Sequence, residues 1–425
     1  MAAERIIKVY LYDTEIGRLG LDETHKRSSF QYNPAYLDSN ELHNVFPNTG
    51  IIKRIGHVQL FSRYDNKTFR ALPPQLADSL PDLFGSIIFK AWLETREQPY
   101  ISVLEQLAYV GCRGMGALEY RPVIDLPKNT SVDLEEIIGV LKQVMQLKNT
   151  TRQTKLDSQA LVNIFKIGTS AGGARPKILI SEHKKNGNVI PGDLEYSDKY
   201  HHYLVKLAME EDYGYPREII EYCYYLAARA VGIRMMDSKL IDDKHFATLR
   251  YDRIDGNKIH TLTATGLTGW HYEDPEVSSY ENLFKLCSFL KIPHAETEEL
   301  FRRMVFNVLY GNVDDHLKNH AFTYDRETAR WHLSPAYDLT YALNPLLEIH
   351  QAKRALSING KRADIMMEDL ISIADTFTIK NPKGVIKEVK GVKESLMQWM
   401  KEHDVPAKVT ERMQARIQTG LRHGH

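Results

Sequence analysis

The chain has 425 residues, enough for two or three domains of ordinary size, with one large domain still possible. Its 55 Lys and Arg balance its 55 Asp and Glu, and this zero formal charge argues against a dedicated nucleic-acid-binding protein. The composition is typical of a globular protein, and no apolar run is long enough to cross a membrane. The N-terminus lacks a basic start followed by an apolar run, so we expect a cytoplasmic protein without a secretory signal.

The first half of the chain predicts a hairpin, then helices, then an α+β layer. The opening run IIKVYLY is rich in β-branched and aromatic residues, and with the following turn and IGRLG it predicts a β-hairpin. Helical periodicity appears over 86–97 and again over 102–111, where Gly111 is the expected stop. Residues 160–254 follow the order small-residue loop, strand, strand, helix, strand, which indicates an α+β layer.

Helical periodicity dominates after residue 278, so the sequence predicts a helical C-terminal part. In the run TEELFRRMVFNVLYG, Thr297 is the expected N-cap and Gly311 the expected stop. The segment 380–393 holds five Lys and one Glu. A solvated helix face is the favoured interpretation of that segment, and an anion-binding patch is the alternative.

The densest polar cluster, GNVDDHLKNHAF, lies at 311–322, directly after that helix. Asn319 follows Asp314 by five residues, and Asp338 comes nineteen residues after Asn319. Protein kinases use an Asp, an Asn five residues later and a further Asp that binds magnesium. A carboxylate can accept the proton of a hydroxyl nucleophile, and Asn and Asp supply the oxygen ligands that Mg²⁺ prefers.

The nucleotide side of a kinase requires a strand lysine and a helix carboxylate. Lys206 lies in the strand-like YLVKL, and Glu221 follows on the amphipathic helix predicted over 218–233. The small-residue loop upstream, with Gly172 and Gly173, stands where a phosphate-covering loop belongs, although it is neither G-x-G-x-x-G nor a Walker loop. Each feature is weak by itself, and the order of the whole set predicts a two-lobed kinase.

Simpler interpretations stay open at this point. An edge lysine, a surface glutamate, a turn and a helix cap are ordinary structural roles for Lys206, Glu221, Gly172-Gly173 and Asp338. The cluster also suits a metal hydrolase, because two His four residues apart share one helix face. Its ligands would be Asp314, Asp315, His316 and His320, although no HExxH motif occurs. His316 could instead orient the loop through hydrogen bonds.

NVDDHLKNHAF followed by SPAYDLTY resembles the HipA family of serine/threonine kinases, the toxin half of bacterial toxin–antitoxin pairs. The resemblance extends over nearly the whole chain, since GTSAGGARPK resembles the phosphate loop of the family, YLVKL its ATP-binding strand and LRYDRI its hinge strand. It implies an α+β, two-lobed protein-kinase-like fold. In this fold, 1–122 form an N-terminal α/β subdomain, 123–254 the small kinase lobe and 255–425 an all-helical large lobe with the catalytic loop.

The resemblance also implies roles for individual residues. Asp314 would be the catalytic base, and Asn319 and Asp338 would hold Mg²⁺. ATP would contact Lys206, Gly172, Gly173, Leu249, Tyr251, His316 and Glu221. Leu249 stands where the family usually has a hinge Glu, so backbone contacts are expected there. Ser170 matches the serine whose autophosphorylation switches the kinase off, because a dianion there competes with the ATP phosphates for backbone amides.

The partners that the resemblance implies are a HipB-like DNA-binding antitoxin and a protein substrate such as an aminoacyl-tRNA synthetase. Nucleic acid would be contacted only through the antitoxin, and no membrane contact is expected. Two alternatives from other classes remain: a catalytically silent, antitoxin-binding co-repressor, and a non-toxic kinase of a small molecule or lipid. A neighbouring reading frame for a small helix-turn-helix protein would favour the toxin interpretation.

Overall fold

The computed structural model describes residues 6–22, 24–39, 44–47, 53–80, 101–123, 137–139, 176–192, 197–208, 214–347 and 353–418. The chain forms two compact units. The first comprises Met1–Leu207, Thr248–Leu262 and Gly266–Gly269, and the second comprises Ala208–Ala247, Thr263–Thr265 and Trp270–His425. The three-part division derived from the sequence stays a prediction.

An antiparallel sheet with the strand order β4-β3-β2-β1-β5 opens the first unit. Its strands are β1 (Ile6–Leu11), β2 (Thr14–Asp22), β3 (Arg27–Tyr32), β4 (Val58–Phe61) and β5 (Leu118–Arg121). The predicted hairpin is confirmed as β1 and β2. Ile7, Val9 and Leu11 point into the core from alternate positions of β1, as expected for a sheet with one buried face.

Within the described residues, three helices accompany this sheet: α1 (Pro34–Asp38), α2 (Pro74–Ala77) and α3 (Val103–Val110). The third confirms the helix predicted over 102–111. Ser102 and Glu105 form a capping box at its start, and Gly111 ends it with a positive φ of 52°. The helix predicted over 86–97 lies outside the described residues.

A second set of antiparallel strands in this unit has the order β7-β6-β8. These three strands are β6 (Lys177–His183), β7 (Val189–Pro191) and β8 (Tyr200–Lys206). The other strands before residue 264 are shorter than β6 and β8, and some lie at the boundary between the units: β9 (Ser238–Ile241), β10 (His245–Leu249), β11 (Arg253–Ile254), β12 (Asn257–Lys258) and β13 (Thr261–Thr263). The strand expected over 245–254 is therefore broken by a turn after Leu249.

Helices make up most of the second unit, as predicted. They are α4 (Arg217–Ala230), α5 (Ala264–Thr268, at the unit boundary), α6 (Tyr280–Phe289), α7 (His294–Leu309), α8 (Met367–Thr376), α9 (Pro382–Gly391), α10 (Lys393–Glu402) and α11 (Ala407–Gln418). The expectation of an all-helical region needs one correction, because β14 (Ala321–Asp325) and β15 (Arg330–Leu333) form an antiparallel hairpin within it. In both strands, alternate residues such as Phe322 and Tyr324 are buried.

The helix before the polar cluster starts earlier than predicted. α7 begins at His294 with Pro293 as its N-cap, so the expectation that Thr297 caps it is wrong. Proline fixes φ and suits the start of a helix, and the Thr297 hydroxyl donates back to the Pro293 carbonyl from inside the helix. Leu300, Phe301 and Met304 of α7 are fully buried. The helix therefore lies in the core and fixes where the polar cluster begins.

No helix in the described part of the chain combines the length and apolar character that a membrane crossing needs.

Candidate active site

The polar cluster leaves the core at the C-terminal end of α7. Gly311 follows the C-cap Tyr310 with a φ of 69°, and a Cβ atom at this position would lie 2.9 Å from the Tyr341 ring. Glycine is required here both by the left-handed backbone and by the close aromatic ring. The predicted stop at Gly311 is confirmed, and the chain continues from it without regular structure through residue 316.

The two adjacent aspartates of the cluster have opposite environments. The Asp314 side chain is 71% exposed, whereas the Asp315 side chain is 1% exposed. Successive side chains in extended backbone point to opposite sides, so one carboxylate faces solvent and the other faces the core. Only the exposed carboxylate of Asp314 can reach a substrate hydroxyl without breaking buried contacts.

Protein groups already bind the Asp315 carboxylate. Its Oδ2 accepts from Arg354 Nη2 at 2.7 Å and from the Tyr280 hydroxyl at 2.8 Å. Its Oδ1 accepts from the backbone N–H of Leu356 at 3.4 Å. A buried charge that is paired and hydrogen-bonded in this way serves the structure of the loop.

Asn319 closes the loop around Asp314. Its Nδ2 donates to the backbone carbonyl of Asp314 at 2.7 Å, and the residue ends a single 3₁₀ turn, Leu317–Asn319. Because the amide nitrogen of Asn319 is used by the loop, its amide oxygen is the atom that a metal ion would contact. An amide oxygen is a suitable ligand for Mg²⁺.

Asp338 is half-buried and follows β15 in the left-handed backbone region, with a φ of 54°. Its backbone carbonyl accepts a hydrogen bond from Asn312 Nδ2 at 3.3 Å. This bond ties Asp338 to the residue two positions before Asp314. The carboxylate of Asp338 and the amide oxygen of Asn319 are a hard-oxygen donor set, and they fit the magnesium ion that a kinase site implies.

The two histidines of the cluster play different parts. The His316 ring packs 5.1 Å from the Tyr272 ring, and its Nε2 lies 3.9 Å from Asp314 Oδ1. His320 is buried, and Nε2 of its ring contacts the backbone carbonyl of Asp315 at 3.3 Å. Burial lowers the pKa of His320 to about 4.

These contacts bear on the metal-hydrolase alternative. Two of its four proposed ligands, Asp315 and His320, are buried against protein partners. Among the residues that the structure describes, no group of three or more His, Cys, Asp or Glu side chains is arranged to hold a metal ion. The geometry therefore favours the kinase interpretation of this loop.

The first unit carries the predicted strand lysine. Lys206 is the last residue of β8 and is 5% exposed, so it is no solvated edge residue. It is paired across the strands with Lys177 of β6, which is 3% exposed. The two side chains therefore lie on the same face at one end of the strand pair, where like charges directly opposite each other repel.

A buried charge cluster in the same unit surrounds Tyr251, one of the two predicted hinge residues. Asp252 accepts from Arg250 Nη2 and from Arg253 Nη1, both at 2.8 Å, and all three side chains are at most 1% exposed. The backbone N–H of Gly116 also donates to Asp252, at 2.7 Å. Tyr251 lies between these charged residues in sequence, so the backbone on either side of it is fixed.

In the second unit, Glu221 lies on α4 and is 2% exposed, which overturns its interpretation as a surface residue. The same helix contacts the end of α7, because the Tyr224 hydroxyl donates to the backbone carbonyl of Tyr310 at 2.6 Å. The helix that carries the predicted glutamate therefore anchors the start of the Asp314 loop.

Comparison with known protein families identifies the family to which this chain belongs. The HipA-like C-terminal domain matches residues 169–400, more than half of the chain, and the HipA N-terminal domain matches residues 7–121. The chain belongs to the HipA family. The resemblance inferred from the motifs is thereby confirmed.

A solved structure extends the likeness of this HipA-family chain to its fold. A chain of the Shewanella oneidensis MR-1 toxin–antitoxin complex of HipA, HipB and operator DNA is 16% identical, with a TM-score of 0.62. The match covers 97% of this chain and 96% of that one, and it confirms the predicted fold class. A putative kinase, Y4dM of Sinorhizobium fredii (strain NBRC 101917 / NGR234), is 26% identical over 189 residues. That alignment covers 40% of this chain and 45% of the relative.

Part of the predicted site of this HipA-family chain is outside the described residues: Ser170, Gly172 and Gly173. The roles of the other predicted residues stay predictions, and the structure adds neighbours that the motifs did not single out. Lys177 could have been suspected from its place directly after the small-residue loop. Asn312 and Arg354 carry no local signal, since their contacts depend on residues far away in sequence.

Proposed function

We propose that this chain is an ATP- and Mg²⁺-dependent protein serine/threonine kinase of HipA type. The observation that carries the proposal is the Asp314 loop: an exposed carboxylate stands next to a buried, paired one, and Asn319 closes the loop. Asp338 is tied to the same loop through a side-chain hydrogen bond. Membership of the HipA family supports the same conclusion.

The residues divide the work of phosphoryl transfer. Asp314 accepts the proton of the acceptor hydroxyl as its oxygen bonds to the γ-phosphorus, and the bond to the β,γ-bridging oxygen breaks to release ADP. Asn319 and Asp338 would hold Mg²⁺, which would offset the charge of the phosphates when bound. Lys206 and Lys177 bind phosphate oxygens, and the fixed backbone at Leu249 and Tyr251 presents polar groups to adenine.

We extend the proposal to the biological role. The chain acts as the toxin of a toxin–antitoxin pair and phosphorylates a translation factor such as an aminoacyl-tRNA synthetase. A HipB-like DNA-binding antitoxin neutralises it, and autophosphorylation at Ser170 inactivates it. The solved complex of a HipA with HipB and operator DNA supports this choice of partner.

Labelling with γ-labelled ATP and Mg²⁺, followed by mass spectrometry of the Ser170 peptide, tests the kinase. We expect the wild type to label itself at Ser170, and Asp314→Ala and Asp338→Ala to lose the label. Asp375→Ala, an exposed aspartate on α8, is the matched control and should label normally. Absence of nucleotide binding by the wild type would contradict the proposal, and labelling that survives Asp314→Ala would contradict only the choice of base.

The toxin role has its own test. Expression without a partner should slow growth of the host, and Asp338→Ala should relieve the effect because magnesium binding is lost. The measurement is the growth rate at equal protein level, with Asp375→Ala as the control that stays toxic. Equal growth of the wild type and Asp338→Ala would count against a toxin and leave a kinase of another acceptor.

A further inference from the structure

Five buried polar side chains form a connected set beneath the Asp314 loop, and we call them the polar network: Tyr280, Asn307, Asn312, Asp315 and Arg354. Each is at most 6% exposed. They come from α6, α7, the loop itself and the segment after Asp338, so the network exists only in the folded unit. None of its members has a role in the phosphoryl transfer proposed above.

One end of the network fixes the backbone around Asp314. Arg354 Nη2 donates both to the Asp315 carboxylate at 2.7 Å and to the backbone carbonyl of Asn312 at 3.2 Å. The neighbouring backbone N–H of Ala355 donates to the carbonyl of Val313 at 2.8 Å. Arg354 and Ala355 therefore hold the residues directly before and after the exposed Asp314.

The middle of the network passes through two helices. The Tyr280 hydroxyl donates to Asp315 and accepts from Asn307 Nδ2 at 2.9 Å. Asn307 Oδ1 in turn accepts from Asn312 Nδ2, also at 2.9 Å. Burial raises the pKa of Tyr280 well above its ordinary value, so its hydroxyl keeps the proton that it donates.

The other end of the network reaches Asp338. The same Nδ2 group of Asn312 donates to the Asp338 backbone carbonyl at 3.3 Å. Asp338 lies in the left-handed backbone region, which is strained for a non-glycine residue, so contacts that favour this conformation are needed. Asn312 supplies one such contact and joins the Asp314 loop to Asp338 itself, and beside it the Tyr337 hydroxyl donates to the Lys318 carbonyl at 2.7 Å.

An ion pair and hydrogen bonds connect the members of this set. Asp315 and Arg354 balance each other within the network, and their side chains are 1% and 5% exposed. The hydrogen bonds of a buried network strengthen one another, although Arg354 Nε has no partner among the described residues. We therefore expect a shift at one end of the network to affect the other end through these side chains.

We propose that the polar network sets the position of Asp338 relative to Asp314, with Asn312 as the positioning residue that joins the two. The inference rests on the proposed function, in which these aspartates hold the cation and accept the proton. Residues that orient metal ligands without touching the metal typically change metal affinity by about 10–100-fold when they are removed. In this proposal, Asn312 affects metal binding through Asp338 and itself contacts neither ATP nor the phosphate acceptor.

The test measures cation binding directly, besides activity. Mn²⁺ is titrated by electron paramagnetic resonance in the presence of a non-hydrolysable ATP analogue, for the wild type, Asn312→Ala and Leu300→Ala. Leu300 is a fully buried apolar residue of α7 outside the network, so its variant controls for lost stability. All titrations are run well below the unfolding temperature of each variant.

We expect Asn312→Ala to raise the half-saturating Mn²⁺ concentration about 10-fold and to lower kcat, and Leu300→Ala to change neither by more than about 2-fold. If Asn312→Ala fails to fold, Tyr280→Phe replaces it as the deciding variant, because this change removes only the hydroxyl at the centre of the network. We expect Tyr280→Phe to raise the half-saturating Mn²⁺ concentration by about 3-fold. Wild-type Mn²⁺ binding in the deciding variant would overturn the inference and leave the kinase standing. A wild type that binds neither Mn²⁺ nor the analogue would overturn both.

Discussion

At the scale of single residues, neighbours of the same type have unlike roles. Asp314 and Asp315 are adjacent carboxylates, yet one faces solvent and the other is enclosed by Arg354 and Tyr280. Similarly, His320 is buried against backbone, while His316 packs on an aromatic ring at the loop surface. The run Asp314-Asp315-His316 predicts a catalytic function for this loop, and long-range packing decides which of these side chains is available for it.

The aspartate pair gives a matched prediction. Asp315→Asn should lower the free energy of unfolding by about 3–5 kcal/mol, because it leaves the buried Arg354 without its counter-charge. Asp314→Asn should change that free energy by about 0.5 kcal/mol or less, because the side chain is exposed, and should abolish autophosphorylation. Urea unfolding and the labelling assay measure the two effects. Equal losses of stability in both variants would contradict the division of roles.

At the scale of elements, the ends of helices and strands place the site. α7 ends at a glycine that turns the chain out of the core, and β10 ends at Leu249, where a buried Arg–Asp–Arg cluster takes over. The hairpin of β14 and β15 follows the loop directly and delivers the chain toward Asp338. Helical periodicity predicts α4 and α7 well. It cannot predict this hairpin, because its short strands depend on pairing with each other.

The stop of α7 provides a prediction at this scale. Gly311 and Gly232 both follow helix C-caps with positive φ, but only a Cβ atom at Gly311 would meet an aromatic ring. Gly232→Ala should lower the free energy of unfolding by about 1 kcal/mol from backbone strain, and Gly311→Ala by about 1–3 kcal/mol more from overpacking against Tyr341. Thermal and urea unfolding measure both. A cost at Gly232 equal to that at Gly311 would contradict the role of the ring.

At the scale of the whole molecule, the fold buries titratable groups in both units. Burial lowers the pKa to about 4 for four histidines: His202, His245, His260 and His320. Burial opposes ionisation of Asp252, but the neighbouring Arg250 and Arg253 guanidiniums bring its pKa well below the ordinary value. The native state therefore depends on neutral histidines and an ionised aspartate.

The lowered pKa values of these four histidines predict how the free energy of unfolding depends on pH. Each binds a proton more readily in the unfolded chain, where its pKa is about 6.5, so the stabilisation present above that pH is lost as the pH falls toward 4. Each contributes a slope of up to about 1.4 kcal/mol per pH unit in this window. Urea unfolding at several pH values between 7 and 4 measures it.

A neighbouring pair in β8 controls for this prediction. His202→Gln should reduce the slope of stability against pH, and His201→Gln should leave it unchanged, because His202 is buried and His201 is exposed. An equal slope in wild type and His202→Gln would show that this histidine does not titrate on unfolding in that window.

The sequence by itself determined the family, the fold class and the strongest local elements. The residues within each motif, around Asp314 and around Asp338, lie a few positions apart, and the capping box of α3 joins Ser102 to Glu105, so neighbouring residues of one segment encode these features. The tertiary structure decided which aspartate is exposed, that Lys177 stands opposite Lys206, and that Asn312 joins the loop to Asp338. These outcomes depend on packing between segments that are distant in sequence, and no local pattern specifies which groups such packing brings together.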